Sequence, residues 1–106
     1  MQYKIIYSSE SVEDLFKIYD YISNVQNEPG NALKLIDTIR NGINKLDVLP
    51  LRHPVVSFSP LKEIGIRYLV IKKHIIFYHV NEKENIVNII RIFSSKQDIK
   101  NILIIK

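Results

Sequence analysis

The sequence predicts an α+β domain with the element order β-αα-βββ, in which a helical hairpin packs on a mainly antiparallel sheet. Three runs of β-branched and aromatic residues lie between Ile64 and Phe93, separated by polar breaks of 2 and 5 residues. Such runs are typical of consecutive antiparallel strands, and the breaks fit hairpin loops. Two amphipathic helical patterns precede them, and the sheet offers the apolar surface that both helices need.

Length and composition predict one domain over residues 1–106. The chain has 106 residues, of which 46% are hydrophobic and 25% charged, ordinary values for a globular protein. No apolar run approaches the ~20 residues of a membrane span, and the N-terminus is too polar for a signal peptide, so we expect a soluble cytoplasmic protein. The absence of cysteine excludes disulfides and thiolate metal sites.

The first half of the chain predicts a strand and the first helix. The apolar run Tyr3–Tyr7 is a short strand, and a helix over residues 11–24 follows. Ser11 and Asp14 have the spacing of a capping box at its start. The predicted buried face of this helix consists of Val12, Leu15, Phe16, Tyr19 and Ile22. Asp14, Lys17 and Asp20 fall on the opposite side, where solvated roles are expected.

The second helix, over residues 30–47, has the most regular pattern in the chain. Pro29 suits its first turn, and Pro50 prevents it from continuing. Its apolar stripe consists of Ala32, Ile36, Ile39, Ile43 and Leu46. The segment Leu51–Glu63, which contains two prolines, is predicted to be an extended loop.

The sheet is predicted as a meander over residues 64–94. Its first turn holds Lys72 and Lys73, which lack the Asn-Gly or Gly-X chemistry of a tight two-residue turn, so we expect this turn to include a neighbouring residue. Beyond the polar turn after Phe93, the apolar stretch Ile99–Ile105 fits either a short helix or a last strand, and periodicity does not decide between them.

The positive charge is concentrated in the sheet half of the sequence. Residues 1–61 carry a net charge of −1 and residues 62–106 a net charge of +5. A basic surface attracts an acidic partner or nucleic acid, although a solvated face without a specific partner explains the same surplus.

Signatures of cofactor or metal chemistry are missing from the sequence. It contains no glycine-rich phosphate loop and no G-x-S-x-G motif. His74 and His79 are five residues apart in one predicted strand, so they point to opposite faces and cannot share a metal ion. We therefore expect no cofactor and no metal. Arg67 and Arg91 interrupt apolar strands. This indicates either a structural ion pair or a snorkelling side chain, or else a guanidinium placed to bind a phosphate or a carboxylate.

The order and spacing of these motifs resemble the RelE/ParE toxins of bacterial toxin–antitoxin systems, over nearly the whole chain. The resemblance is carried by Tyr3–Tyr7, Asp14-Leu15, Tyr21-Ile22, Pro29, Ala32, Ile43, Leu46, Leu49-Pro50, Ile66-Arg67, Ile76–Val80, Ile89–Phe93 and Lys96-Gln97-Asp98. It implies a β-αα-βββ fold and a cognate antitoxin as partner, in a hetero-oligomer.

The family has two branches, and departures of this sequence favour the ParE-like branch. RelE-like members cleave messenger RNA on the ribosome with a basic cluster and a general acid or base near the C-terminus, whereas ParE-like members are associated with inhibition of DNA gyrase. The tyrosine and arginine of the Y-R-x-x-Y stretch in nuclease members correspond here to His74 and Ile75. The tail Ile99–Lys106 contains no His, Tyr or Arg, so it offers no group suited to proton transfer near neutral pH.

The resemblance therefore implies a gyrase-directed toxin, with two alternatives. One is a ribosome-dependent endoribonuclease that uses Lys72, Lys73, His74 and Lys96; the other is an inactive relative that only binds antitoxin. The motif positions predict that the target or the antitoxin contacts Arg67, Arg91, Lys96 and Asp98. A pair between Arg91 and Asp98 that fixes the turn after the last strand is the structural alternative.

Overall fold

The computed structural model describes residues 2–94, and its architecture confirms the predicted α+β fold. The elements are β1 (Lys4–Tyr7), α1 (Ser9–Asp20), α2 (Pro29–Asn44), α3 (Leu61–Ile64), β2 (Arg67–Ile71), β3 (His74–Asn81) and β4 (Ile86–Ser94). The strands form one sheet in the order β1-β4-β3-β2. β1 pairs with β4 in parallel, and the meander pairs are antiparallel. Within residues 2–94, no helix combines the length and the apolar character that crossing a membrane requires.

Both predicted helices are present, and each ends in a helical turn of different pitch. α1 is extended by a π-helical turn at Tyr21–Val25, and α2 by a 3₁₀ turn at Lys45–Asp47. These extensions bring the observed bounds close to the predicted ranges of 11–24 and 30–47. The second helix also buries the predicted stripe, because Ala32, Ile39, Ile43 and Leu46 are fully buried. Each of the two isoleucines and the leucine contributes roughly 1.5–3 kcal/mol of burial free energy.

The main core lies between the helices and one face of the sheet. Side chains of α2 pack there against alternate residues of the two central strands, and the alternation in β4 shifts by one residue at Ile90, where the register with β3 is irregular. The buried members of this cluster are Ile39, Ile43, Leu46, Ile76, Tyr78, Val87, Ile89 and Ile92.

The start of α1 differs from the prediction. The N-cap is Ser8, whose hydroxyl accepts a 3.0 Å hydrogen bond from the backbone N–H of Ser11. Ser11 is therefore already inside the helix, and its own hydroxyl donates back to the Ser8 carbonyl at 2.8 Å. The capping box expected from Ser11 and Asp14 is wrong because the helix begins two residues earlier, which frees Asp14 for a different contact.

The second face of the sheet is covered by the segment between α2 and β2. Val56 and Ile66 pack there against Phe77 and Phe93, and Val55 forms an isolated antiparallel bridge with Arg67 at the edge of β2.

The segment predicted as an extended loop ends in a short helix, α3. The meander begins at Arg67 rather than at residue 64, because Ile64 ends α3 and Gly65 turns the chain with a left-handed φ of 85°.

The turn between β2 and β3 contains only Lys72 and Lys73. Ile71 pairs directly with His74, so no neighbouring residue is added and that expectation is wrong. Lys72 adopts a φ of 56°, the left-handed region that glycine or asparagine usually occupies in such turns. The strong pairing of the flanking apolar strands imposes this conformation on a residue that does not favour it.

Candidate functional site

Helix α1 carries apolar side chains on two sides, and only one side packs on the sheet. Ser11 is fully buried and Asp14 is 6% exposed, whereas Phe16 is 64% exposed and Val12 is also exposed. The buried face of α1 is therefore rotated from the predicted one, since Asp14 was expected on the solvent side. The second apolar side faces the space between α1 and α2.

That space is an apolar groove of about 590 Å³, which we call the hairpin groove. It lies between α1 and α2, with β1 at one end. Apart from Asp20 and Arg40 its lining is hydrophobic: Tyr7, Val12, Leu15, Phe16, Tyr19 and Ile36. An exposed apolar groove of this kind is typical of a site for an amphipathic helix.

Tyr7 places a polar atom in the lining of the hairpin groove. Its hydroxyl is buried and has no hydrogen-bond partner within residues 2–94. Burial raises the pKa of this hydroxyl, and the nearby charge of Arg40 opposes the rise without forming a hydrogen bond of acceptable geometry. A buried hydroxyl without a partner costs free energy.

Arg91 forms an ion pair with Asp14 at the edge of the sheet. Its Nε donates to Oδ2 of Asp14 at 2.9 Å and its Nη2 donates to Oδ1 at 3.1 Å. Oδ2 also accepts the backbone N–H of Ile92 at 2.9 Å. The hydrogen bonding of the Arg91 guanidinium to the Asp14 carboxylate is the main cause that raises the pKa of Arg91.

This contact compensates for the shortness of β1. The strand ends at Tyr7, opposite Ile89, so within residues 2–94 the last residues of β4 have no strand beside them on this edge. Ser8 Oγ donates to the carbonyl of Ile90 at 2.7 Å, and Asp14 accepts from Ile92. The first two turns of α1 therefore satisfy the backbone groups that a longer β1 would have paired.

Arg67 holds the loop that follows α2. Its Nη1 donates to the carbonyl oxygens of Leu51 at 3.1 Å and His53 at 2.6 Å. Tyr78, opposite Arg67 in the sheet, donates its hydroxyl to the carbonyl of Pro50 at 2.6 Å. The contacts of Arg67 therefore fit a structural role, and its proposed contact with a target or antitoxin stays a prediction.

Lys73 and His74 lie at the opposite end of the β2–β3 hairpin from Arg67, beside the C-terminal end of α1. They line a mixed polar cavity of about 540 Å³ together with Asp14, Lys17 and Arg91, among others. Burial lowers the pKa of His74, and its Nδ1 has no hydrogen-bond partner among the described residues. Lys72 does not line this cavity, but it lines a second one of about 450 Å³ together with Lys73 and His74. The structure therefore brings together three of the four residues named for a nuclease, and the fourth, Lys96, lies outside the described residues.

The half-buried side chains of His53 and His74 predict that the free energy of unfolding decreases in weak acid. Burial lowers the pKa of both His53 and His74 below the ordinary 6.5. The unfolded chain therefore binds more protons than the folded protein near that pH, and the free energy of unfolding decreases as the pH falls below about 6.5. We expect a lower urea midpoint at pH 5.5 than at pH 7.5, and a smaller difference in His74→Gln. An equal pH dependence in His74→Gln and His53→Gln variants and the wild type would contradict this assignment.

Two of the predicted site residues, Lys96 and Asp98, lie outside the described residues, as does the predicted element at Ile99–Ile105. The pairing of Arg91 with Asp14 was not predicted. The predicted alternative, a pair between Arg91 and Asp98, also lies outside the described residues. The hairpin groove was missed as well. Ser11 and Asp14 are three residues apart in a helix, so they lie on one face together with Leu15 and Ile18. That spacing was the available signal that the two polar residues share the buried face.

A helical hairpin on a four-stranded mixed sheet is the fold of the RelE/ParE toxins. The sequence matches the family described as "ParE toxin of type II toxin-antitoxin system, parDE" over residues 5–99. The chain therefore belongs to the ParE toxin family of type II toxin–antitoxin systems. No curated protein matches the sequence.

Three solved structures with the same fold are distant in sequence. The chain is similar to a chain of the chromosomal ParDE system from P. aeruginosa, with 22% identity, a TM-score of 0.73 and coverage of 88% of this chain and 96% of that one. It is similar to a chain of the toxin–antitoxin complex RelBE2 from Mycobacterium tuberculosis, with 15% identity, a TM-score of 0.63 and coverage of 89% and 99%. It is also similar to a chain of the archaeal RelE–RelB complex from Pyrococcus horikoshii, with 12% identity, a TM-score of 0.62 and coverage of 92% of this chain and 99% of that one.

Proposed function

We propose that this protein is a growth-inhibiting toxin that acts by binding DNA gyrase and is neutralised by a cognate antitoxin seated in the hairpin groove. The observation that carries the proposal is the second apolar side of α1, which has no partner within residues 2–94. Membership of the ParE family supports the toxin assignment. The similar solved structures are toxin–antitoxin complexes, which supports an antitoxin as the occupant.

The dimensions and chemistry of the hairpin groove fit an amphipathic helix. The 12 residues of α1 span roughly 18 Å at 1.5 Å per residue, which accommodates about three turns of a second helix. Phe16 and Val12 provide apolar contacts along the groove, and Asp20 and Arg40 provide one charge of each sign. The groove lies in the helical half of the chain and not in the sheet half, which carries the net charge of +5.

Binding rather than RNA cleavage is favoured by the available titratable groups. Cleavage next to a ribose 2′-hydroxyl requires a group that takes up a proton and a group that supplies one. The tail offers only Lys100 and Lys106, whose ordinary pKa near ~10.4 makes them poor bases at neutral pH. We therefore place the toxin in the gyrase-directed branch.

His74 supports a second candidate function, that of an endoribonuclease. Its lowered pKa keeps the imidazole neutral at pH 7, the form that accepts a proton. Lys17, Lys73 and Arg91 line the same cavity and could stabilise phosphate charge. Arg91, however, is already engaged by Asp14, and this reduces the positive charge available to a phosphate.

Expression with the adjacent reading frame tests the toxin–antitoxin assignment. We expect induction of this chain alone to arrest growth, and coexpression with a small amphipathic neighbour to restore growth and give one complex on size-exclusion chromatography. A chain that is harmless alone and elutes separately from its neighbour would contradict the assignment. A neighbour with its apolar helical residues changed to serine is the control, since it should neither bind nor restore growth.

A further inference from the structure

The loop after α2 exposes a compact group of aliphatic side chains. Val48, Leu49 and Leu51 are all exposed, and Leu49 is exposed by 71%. We call these three residues the Leu49 knuckle. None of them lines the hairpin groove, so the apolar character of the knuckle is not explained by antitoxin binding there.

The backbone of the Leu49 knuckle has an unfavourable conformation. Leu49 has φ 51° and ψ 54°, in the left-handed region that a leucine rarely occupies. A residue is held in such a conformation only where its surroundings determine it, and such residues cluster at functional sites. An exposed leucine has no packing contacts that account for this position, so the surrounding hydrogen bonds must hold it.

Those hydrogen bonds come from three side chains. The guanidinium of Arg52 donates to the carbonyl oxygens of Lys45, Val48 and Leu49. From the sheet below, Tyr78 donates to Pro50 and Arg67 donates to Leu51. The knuckle is thus fixed before any partner binds, which reduces the ordering cost of binding.

Positive charge surrounds the knuckle. Lys45, Arg52 and Arg67 lie on or beside this loop, and Asp47 is the one carboxylate among residues 45–53. Within the described residues 2–94 the one ion pair is between Arg91 and Asp14, so no carboxylate neutralises Arg52 or Arg67 there. A partner that complements this surface has an apolar pocket with an acidic rim.

We propose that the Leu49 knuckle is the surface that enters an acidic-rimmed apolar pocket on the protein that this toxin inhibits. This inference rests on the proposed function, because it assumes that inhibition occurs by protein binding. A second copy of this chain is disfavoured as the occupant, since a symmetric contact through the knuckle brings like charges together. The antitoxin is disfavoured because the hairpin groove is a separate surface. The toxin would then have separate sites for target and antitoxin.

The variant Leu49→Asn tests this assignment without disturbing the loop. Asparagine tolerates the left-handed conformation better than leucine does, so the fold should persist while the apolar side chain is lost. The matched control is Val25→Asn, because Val25 is 70% exposed and lies just before α2 rather than after it. Growth arrest, pull-down of purified DNA gyrase, complex formation with the antitoxin and thermal melting are measured for the wild type and both variants.

We expect Leu49→Asn to bind gyrase at least tenfold more weakly and to lose growth arrest, while melting and antitoxin binding match the wild type. Lys45→Glu should weaken gyrase binding more at low salt than at high salt, and Val25→Asn should behave as the wild type. The inference is overturned if Leu49→Asn keeps full toxicity, loses antitoxin binding, or changes only in self-association. Each of these outcomes leaves the proposed function intact. A wild type that arrests no growth would instead refute the proposed function and the inference with it.

Discussion

Replacing Asp14 with alanine should lower the free energy of unfolding by about 3–5 kcal/mol, the usual cost of breaking a buried ion pair by removing one partner. The Asp14 side chain is 7% exposed, and that of Arg91 is 20% exposed. The substitution leaves the guanidinium of Arg91 without its partner and the backbone N–H of Ile92 without an acceptor. It also opens the edge of β4 that α1 covers. Urea unfolding of the two purified proteins at pH 7.5 measures the difference.

Two further variants separate the charge from the hydrogen bond to the backbone. Asp14→Asn keeps an oxygen that can accept from Ile92 but loses the charge, so we expect an intermediate loss of stability. Glu13→Ala removes an exposed neighbouring carboxylate and should change stability by no more than about 0.5 kcal/mol. If Asp14→Ala and Glu13→Ala unfold at the same urea concentration, the assigned role of the pair is wrong.

Replacing Phe16 with alanine should weaken antitoxin binding about 30-fold or more, which corresponds to at least about 2 kcal/mol. Phe16 is the most exposed aromatic side chain of α1 and lines the hairpin groove. A buried aromatic anchor at the centre of an interface contributes more than the contacts around it. Because Phe16 packs little in the free protein, the substitution should leave the melting temperature nearly unchanged.

Tyr21→Ala is the matched control for Phe16→Ala. Tyr21 is 54% exposed and follows directly on α1, but it does not line the hairpin groove. Antitoxin affinity measured by isothermal titration calorimetry should therefore change little in Tyr21→Ala. Equal losses in the two variants would show that the antitoxin is not seated in the groove.

The order of the elements followed from the sequence because apolar periodicity reports burial directly. In α2 an aliphatic residue recurs at every third or fourth position, and the buried residues Ile39 and Ile43 belong to one unambiguous stripe. In α1 the same reasoning gave the wrong face. Phe16 and Val12 have a helical spacing that fits burial on the sheet, but they belong to the groove, and the face on the sheet includes two polar residues.

Other features depended on contacts that periodicity does not contain. Asp14 is buried because Arg91 and the N–H of Ile92, distant in sequence, compensate its charge and satisfy its lone pairs. Lys72 occupies a left-handed turn position because the paired strands on either side outweigh its own preference. The helix α3 was missed because its four residues, between Pro60 and Gly65, are too few to show a helical pattern.

Pulse labelling of DNA and protein synthesis after induction tests most directly whether this toxin acts on replication. The experiment compares the wild type with His74→Ala, because His74 is the one residue that supports an endoribonuclease. If the toxin inhibits gyrase by binding, incorporation of thymidine should stop before incorporation of methionine. The imidazole then takes no part, and both proteins should show the same order. Rapid loss of translation with cleaved messages in the wild type, abolished in His74→Ala, would contradict the account and make His74 a catalytic residue.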